Sequence, residues 1–437
     1  MAAKKSKPHQ TGIKDRLSAL PDAILCHTLS FLPTKNAVVT SLLSTRWKYL
    51  YRSVPKIDLD DYLPTEAARR NCSEKTSNGF IRFTNRLFSL RNSANIVTFY
   101  LRCSNTYEDW IINDWICAAL CRNVQELDIH VEYPAGDHLT GEIFRHERLS
   151  SLKLHGFSVK VPEQVFLPNL KILHLVYMTF LADNYHMSKF LLGCPLLEDL
   201  NLTDCDLENL EVLDLSIPSL KSLTLRDNYY IATIIISNPN LEYLMLHTSS
   251  AEHVVKNLKS LASAELLSDD LEISSKLINE LYNVSFLAIS GSCFKKLVAS
   301  GSLSKLQCLT HLDLSPFSED EFRILPRLLD GTPNLEQLTL GMASIGEFEP
   351  QGIVSDLLEV KPLCLAQKLR KVDIFDFVDS ETQFNVVEYL LQHGALLELM
   401  SFQFVTTKTP EKWPFSMLRR LLMFPRCSKA CKIALVE

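Results

Sequence analysis

The sequence contains no apolar run near the roughly 20 residues that a membrane-spanning helix takes. It also lacks the motifs on which common catalytic sites are built. There is no phosphate-cradling G-x-x-x-x-G-K, no dinucleotide-binding G-x-G-x-x-G, no zinc-binding H-E-x-x-H and no nucleophile elbow G-x-S-x-G. An excess of positive charge is missing too: 45 Lys and Arg stand against 51 Asp and Glu, a net charge of −6. Phosphate binding needs a basic surface, so nucleic acid is not expected as the main partner. The basic run Lys4, Lys5 and Lys7 reads as part of a solvated, disordered tail over 1–12.

The N-terminus has no apolar centre of a secretory signal. The 12 cysteines show no even framework of short spacings, so reduced thiols in the cytosol or nucleus are expected. Cys117 and Cys121, like Cys427 and Cys431, lie four apart with no histidine close behind, which reads as buried free thiols rather than a zinc site. Asp58 to Tyr62 ("DLDDY") lacks the glycine and terminal glutamate of a calcium loop and reads as a surface loop after a strand. No metal and no cofactor is expected.

What is present in quantity is a repeat. "LSSLKLHGF" from Leu149 is followed by "LKILHLVYM", "LEDLNLTDC", "LKSLTLRDN", "LEYLMLHTS", "VSFLAISGS", "LTHLDLSPF" and "LEQLTLGMA". The middle apolar positions are Leu127, Leu152, Leu173, Leu200, Leu223, Leu244, Leu287, Leu312 and Leu338, with a degenerate unit at Ala264 and an earlier one at Phe99. Residues two apart share one face of a strand, and one such strand cannot bury that face alone. Stacked at a period of about 20–29 residues, the strands form a parallel sheet lining a leucine-rich-repeat horseshoe. Proline before several units ends one segment and turns the chain into the next strand. Cys205 and Asn228 occupy the polar or thiol position three residues beyond the last strand leucine. Lys153, His174, Asn201, Thr224, Met245, Asp313 and Thr339 are expected on the exposed face, where a partner would sit.

Ahead of the repeat stands a dense apolar block. Pro21 suits the first turn of a helix carrying Ile24, Leu25 and Leu29. Pro33 ends it, and a second helix carries Val38, Val39, Leu42 and Leu43. Ser44 can cap a third helix presenting Trp47, Leu50, Tyr51 and Val54. Three short helices with apolar residues on more than one face cannot bury them all, which implies an intermolecular or interdomain contact.

These residues carry a resemblance. Asp15 to Asp61, with "LPD" at Leu20 to Asp22, "SFLPTK" at Ser30 to Lys35, and Leu43, Ser44, Arg46 and Trp47, resembles the F-box of the plant F-box/leucine-rich-repeat family. Near the other end, "CLAQKLRKVDIFDFVDSETQFNVVEYLLQHGALLELMSFQF" from Cys364 and the closing "LLMFPRCSKACKIALVE" resemble the FBD module found with such proteins. Here Ser380 and Gln383 form a capping box, Phe384, Val387 and Leu391 share a helical face, and Gly394 is a helix stop. The strand patterns "LRKVDI" and "LELMSF" predict that this module extends and caps the horseshoe.

The expected fold is therefore α/β: a disordered tail (1–12), a three-helix F-box (13–61), a leucine-rich-repeat solenoid with a parallel sheet (62–355) and an FBD cap (356–437). The resemblance implies a non-catalytic substrate receptor of a Skp–cullin–F-box ubiquitin ligase. It would hold the Skp adaptor, and through it a cullin–RING ligase, by Leu20, Pro21, Ile24, Leu25, Val38, Leu42 and Trp47. The repeats would hold an unknown target protein. Two alternatives share the architecture: a hormone-like small-molecule receptor, and an adaptor-binding scaffold that works without the ligase. Neither nucleic acid nor membrane is expected as a partner.

Overall fold

The computed structural model describes residues 15–62, 74–91, 95–132, 139–180, 186–207, 211–228, 231–247, 252–267, 275–299, 301, 306–317, 322, 324–342, 362–404 and 415–436. The tail over 1–12 and the boundary expected at 355/356 lie outside them. The chain forms two compact units, Met1–Phe157 and Ser158–Glu437. No helix among the described residues is long and apolar enough to cross a membrane.

The first unit opens with α1 (Asp22–Ser30) and α2 (Thr34–Val39). Pro21 and Pro33 take their N-cap positions, where a missing N–H leaves nothing unpaired. The third helix expected after Ser44 does not form. Residues 43–49 are mainly turns, followed by a short 3-10 segment at Leu50–Ser53. The backbone bonds are i to i+3: Trp47 N to Ser44 O at 3.1 Å, Leu50 N to Trp47 O at 3.3 Å and Arg52 N to Tyr49 O at 3.1 Å. Turns of this kind bring Trp47 and Leu50 to one side as well as an α-helix would, so the apolar spacing alone does not separate the two.

The strand β1 (Lys56–Asp60) follows at once, so Asp58 to Asp60 belong to a strand and only Asp61 and Tyr62 continue as loop, a correction to the reading of "DLDDY". After α3 (Glu74–Leu90) come β2 (Thr98–Cys103), α4 (Asp109–Leu120), β3 (Glu126–Val131) and β4 (Ser151–His155). The four strands are parallel, with Ile57, Phe99, Leu127 and Leu152 in one row and all fully buried. The helix α2 packs beside β1, and Thr34 Oγ1 accepts a hydrogen bond from Asp58 N at 2.7 Å. This contact covers the first strand of the sheet, which would otherwise present an open edge. Gly156 follows β4 with φ +82°, and a Cβ there would stand 2.1 Å from Val131 O.

Among its described residues the second unit has eleven parallel strands in one order, from Ile172–Val176 to Lys432–Leu435. Leu173, Leu200, Leu223, Leu244, Ala264, Leu287, Leu312 and Leu338 pair in a single row and are buried. The degenerate unit at Ala264 is thus a full member of the ladder. The alternate residues His174, Asn201, Thr224, Met245, Asp313 and Thr339 are half-buried on the open face of this sheet, as is Lys153 in the first unit. The polar positions beyond the strands are built inward. Asn228 Oδ1 accepts from Cys205 N at 3.0 Å, and its Nδ2 donates to Leu202 O at 2.8 Å. Cys205 Sγ donates to Leu175 O at 3.3 Å. A second, three-stranded sheet over Val212–Asp214, Thr233–Ser237 and Glu252–Lys256 was not expected from the leucine pattern. It carries an analogous device: Asn238 bonds Ile217 N and Leu215 O.

The C-terminal segment continues the sheet. Leu338 pairs with Val372, Val372 with Met400 and Met400 with Ile433. The helix Glu381–His393 buries Phe384, Val387 and Leu391 and stops at Gly394, as the sequence predicts. Its capping differs. The Ser380 side chain makes no cap bond, whereas Gln383 Oε1 accepts from Val378 N at 2.9 Å and so ties the incoming loop to the helix. The described cysteines are all free. Cys431 is buried, Cys117 half-buried, and Cys121 and Cys427 are exposed, which corrects the reading of both pairs as buried.

Candidate functional site

The N-terminal helices form a small core of their own. Leu25, Cys26, Leu29, Ala37, Trp47, Leu50 and Val54 are buried together, with Leu20 and Tyr51 packed against them. Polar contacts lock the loops around this core. Trp47 Nε1 donates to Ser18 Oγ at 2.8 Å. Arg46 Nη2 donates to Leu20 O at 3.0 Å and pairs with Asp22 at 2.6 Å. From beyond α3, the buried Arg91 reaches the carbonyls of Tyr51 and Val54. Burial, followed by the nearby Arg122, lowers the Arg91 pKa to about 10, so it remains a cation at neutral pH.

The seven residues singled out in the sequence divide. Leu25 and Trp47 are 0% and 5% exposed and belong to the internal core of these helices. Leu20 and Val38 are half-buried, while Pro21, Ile24 and Leu42 are exposed. The structure adds apolar residues that the sequence reading did not choose. Phe31 is 74% exposed and Leu43 70%, with Val39 and Leu32 also open; Leu42, one of the seven, is 84% exposed. Ile24 and Phe31 are seven residues apart on α1 and its C-cap, on the face opposite Leu25 and Leu29. Helical offset from a buried pair is the signal that would have found Phe31.

Five or more large apolar side chains on about 20 residues exceed what single scattered surface residues explain. Such a surface binds by burying anchors and has no chemistry of its own. The described residues hold no group of three or more metal-ligating side chains. The buried thiols of Cys194, Cys205 and Cys364 are pushed up to about 12 by desolvation, which keeps them protonated and unreactive.

The open face of the second unit is polar and patterned. His174 meets Asp199 at 2.9 Å, Tyr243 donates to Glu265 at 3.0 Å, and Ser315 donates to Asp313 at 2.7 Å. Asp373 gathers Gln337, Lys371 and Ser401. Glu265, Ala288, Asp313, Thr339 and Asp373 lie in one register row across five strands. Burial, with Glu265 and Asp373 nearby, raises the Asp313 pKa despite the Ser315 bond.

Comparison with known proteins agrees with this layout. Residues 17–57 match the F-box domain model. Residues 112–340 match the model of the leucine-rich repeats of the FBD-associated F-box protein At5g56370. The chain is 30% identical over 456 residues to the F-box/LRR-repeat protein At4g14096 of Arabidopsis thaliana, covering 98% of this chain and 96% of that protein. It is 31% identical over 455 residues to the F-box/FBD/LRR-repeat protein At5g22660 of the same plant, covering 97% of each. The chain belongs to the plant F-box/FBD/leucine-rich-repeat protein family.

Proposed function

We propose that this protein is the substrate-recognition subunit of a Skp–cullin–F-box ubiquitin ligase. The observation that carries the reading is the apolar surface of Ile24, Phe31, Val39, Leu42 and Leu43 standing outside a helical core that is already complete. The F-box docks the Skp adaptor on that surface, with Leu20, Pro21 and Val38 contributing at its margin. The open face of the leucine strands holds the target protein. The chain performs no bond chemistry. A conjugating enzyme recruited through the cullin transfers ubiquitin, and the receptor contributes proximity. Domain limits of 13–61, 62–355 and 356–437 fit this division of labour, with the F-box ending just after the strand Lys56–Asp60. The free thiols fit a reducing compartment, the cytosol or nucleus.

The test is co-purification. Full-length protein expressed with a Skp adaptor and cullin should recover both, while the double variant Leu20→Ala, Pro21→Ala should lose both and keep its target. In cells that variant should stabilise the target. Normal recovery of adaptor and cullin by the double variant counts against the reading.

A further inference from the structure

Beside α2, the first unit has a half-open cavity of about 400 Å³ that plays no part in the reading above. That is a volume typical of small-molecule sites. Four rings line it: Tyr62, Phe80, Phe83 and Tyr107. Two carboxylates of β1, Asp58 and Asp60, also line it. A third lining carboxylate, Asp61, is occupied in structure: it accepts from Ser104 N, Asn105 N, Asn105 Nδ2 and Tyr107 OH and so fixes one wall. Among the described residues, Lys35 is the single cationic side chain of the lining, against three carboxylates.

The chemistry of these walls is specific. Aromatic faces and carboxylates attract the same class of group, an organic cation with an apolar or planar body. The protein's own cations already gather around the site. The Arg102 guanidinium lies 5.2 Å from the centre of the Tyr62 ring, and Lys56 pairs with Asp58 at 3.1 Å. Asp60 differs from its neighbours. It is exposed, it lines the cavity, and its Oδ1 accepts from the Tyr62 backbone N at 2.7 Å. Gly79 of α3 also lines the cavity, and a Cβ added to it meets no atom within 4 Å.

We infer that this cavity is a binding site for one organic cation, a protonated amine or guanidinium on an apolar stem, held by Asp60 and the surrounding rings. Its source is either a free small amine or a basic side chain of a peptide.

Calorimetric titration of the full-length chain at neutral pH tests this with three probes: tryptamine, its neutral alcohol analogue tryptophol, and acetyl-arginine amide. Tryptamine should bind saturably at one site, and tryptophol at least about tenfold more weakly, since it lacks the charge. Asp60→Asn should weaken tryptamine about tenfold and leave tryptophol unchanged. Gly79→Trp should abolish binding by filling the cavity, with no fall in thermal midpoint, because an exposed helical glycine is replaced by a better helix former. Tighter binding of acetyl-arginine amide than of tryptamine assigns the peptide source, and the reverse order assigns the small amine. Equal binding of amine and alcohol, or no saturable binding of either cation at millimolar concentration, overturns the inference. If Gly79→Trp fails to fold, the Asp60→Asn comparison still decides.

Discussion

Asn228 gives the sharpest prediction about how the repeats are held. It is 5% exposed, and its amide bonds two backbone groups, Cys205 N at 3.0 Å and Leu202 O at 2.8 Å. Both belong to the preceding repeat, so this one side chain ties consecutive turns of the solenoid. Asn228→Ala removes both bonds and leaves a buried donor and a buried acceptor without their partner. Each such loss costs about 1–3 kcal/mol, so the variant should lose about 2–6 kcal/mol locally. The exposed side of the same ladder supplies the control: Asn201 is half-buried on the open face, and Asn201→Ala should cost under about 0.5 kcal/mol. In an array stacked by neighbours the loss stays near its origin. Amide hydrogen exchange read on the segment around Cys205 is therefore the suitable assay. Protection there should fall by roughly thirtyfold or more, about 1.4 kcal/mol per tenfold, while the strands near Met400 keep theirs. Equal exchange at Cys205 in wild type and Asn228→Ala would refute the argument that this side chain satisfies buried backbone.

Three further outcomes follow from the same structure. Leu200→Asp places an unpaired charge in a fully buried row and should open that part of the solenoid to protease, whereas Asn201→Asp, one residue away, should not. Gly156→Ala should lower the thermal midpoint clearly, because φ +82° and a Cβ 2.1 Å from Val131 O force the backbone to move. The third concerns pH. His130 and His155 stack with centroids 3.7 Å apart on adjacent strands, beside Arg102, Glu132 and Asp60. Burial lowers both pKa values, reinforced at His130 by His155 and Arg102 and opposed by Glu132 and Asp60. At His155 backbone bonding and Glu132 oppose the shift. A histidine whose folded pKa lies below its unfolded value binds fewer protons when folded, so stability is full above about pH 6.5 and falls as pH drops below it. Midpoints measured between pH 7.5 and 5.5 should decline in wild type and decline less in His130→Gln, His155→Gln; parallel curves would contradict this.

Much of this architecture was legible in the sequence because one physical signal dominates it. Leucine at a fixed offset in every unit has a single explanation, a stack of strands that bury one face. The register Leu200, Leu223 and Leu244 is what that pattern requires. Even Ala264 could be placed, because its neighbours fixed where a strand had to fall. The N-terminal block was harder. It has apolar residues on opposite faces of α1, and periodicity does not say which face turns inward. Leu25 lies inside and Ile24 outside, one residue apart. Trp47 is as apolar as Leu42, yet its ring N–H finds Ser18 and it closes the core, while Leu42 stands open. The expected third helix failed because a three-residue spacing suits turns as well as helices. The three-stranded second sheet was missed because its strands fall between the leucine units, although "TIIIS" over Thr233–Ser237 carries strand propensity.

The account rests on the exposed apolar surface of the F-box being the adaptor contact, and one measurement addresses that directly. Purified Skp adaptor is titrated against full-length wild type, Leu42→Asp and Leu43→Asp, with thermal midpoints recorded for each. Leu42 and Leu43 are 84% and 70% exposed, so neither substitution should lower the midpoint. A central apolar anchor lost from an interface costs about 2 kcal/mol or more, so each variant should bind the adaptor at least about thirtyfold more weakly. Wild-type affinity in both folded variants would contradict the assignment.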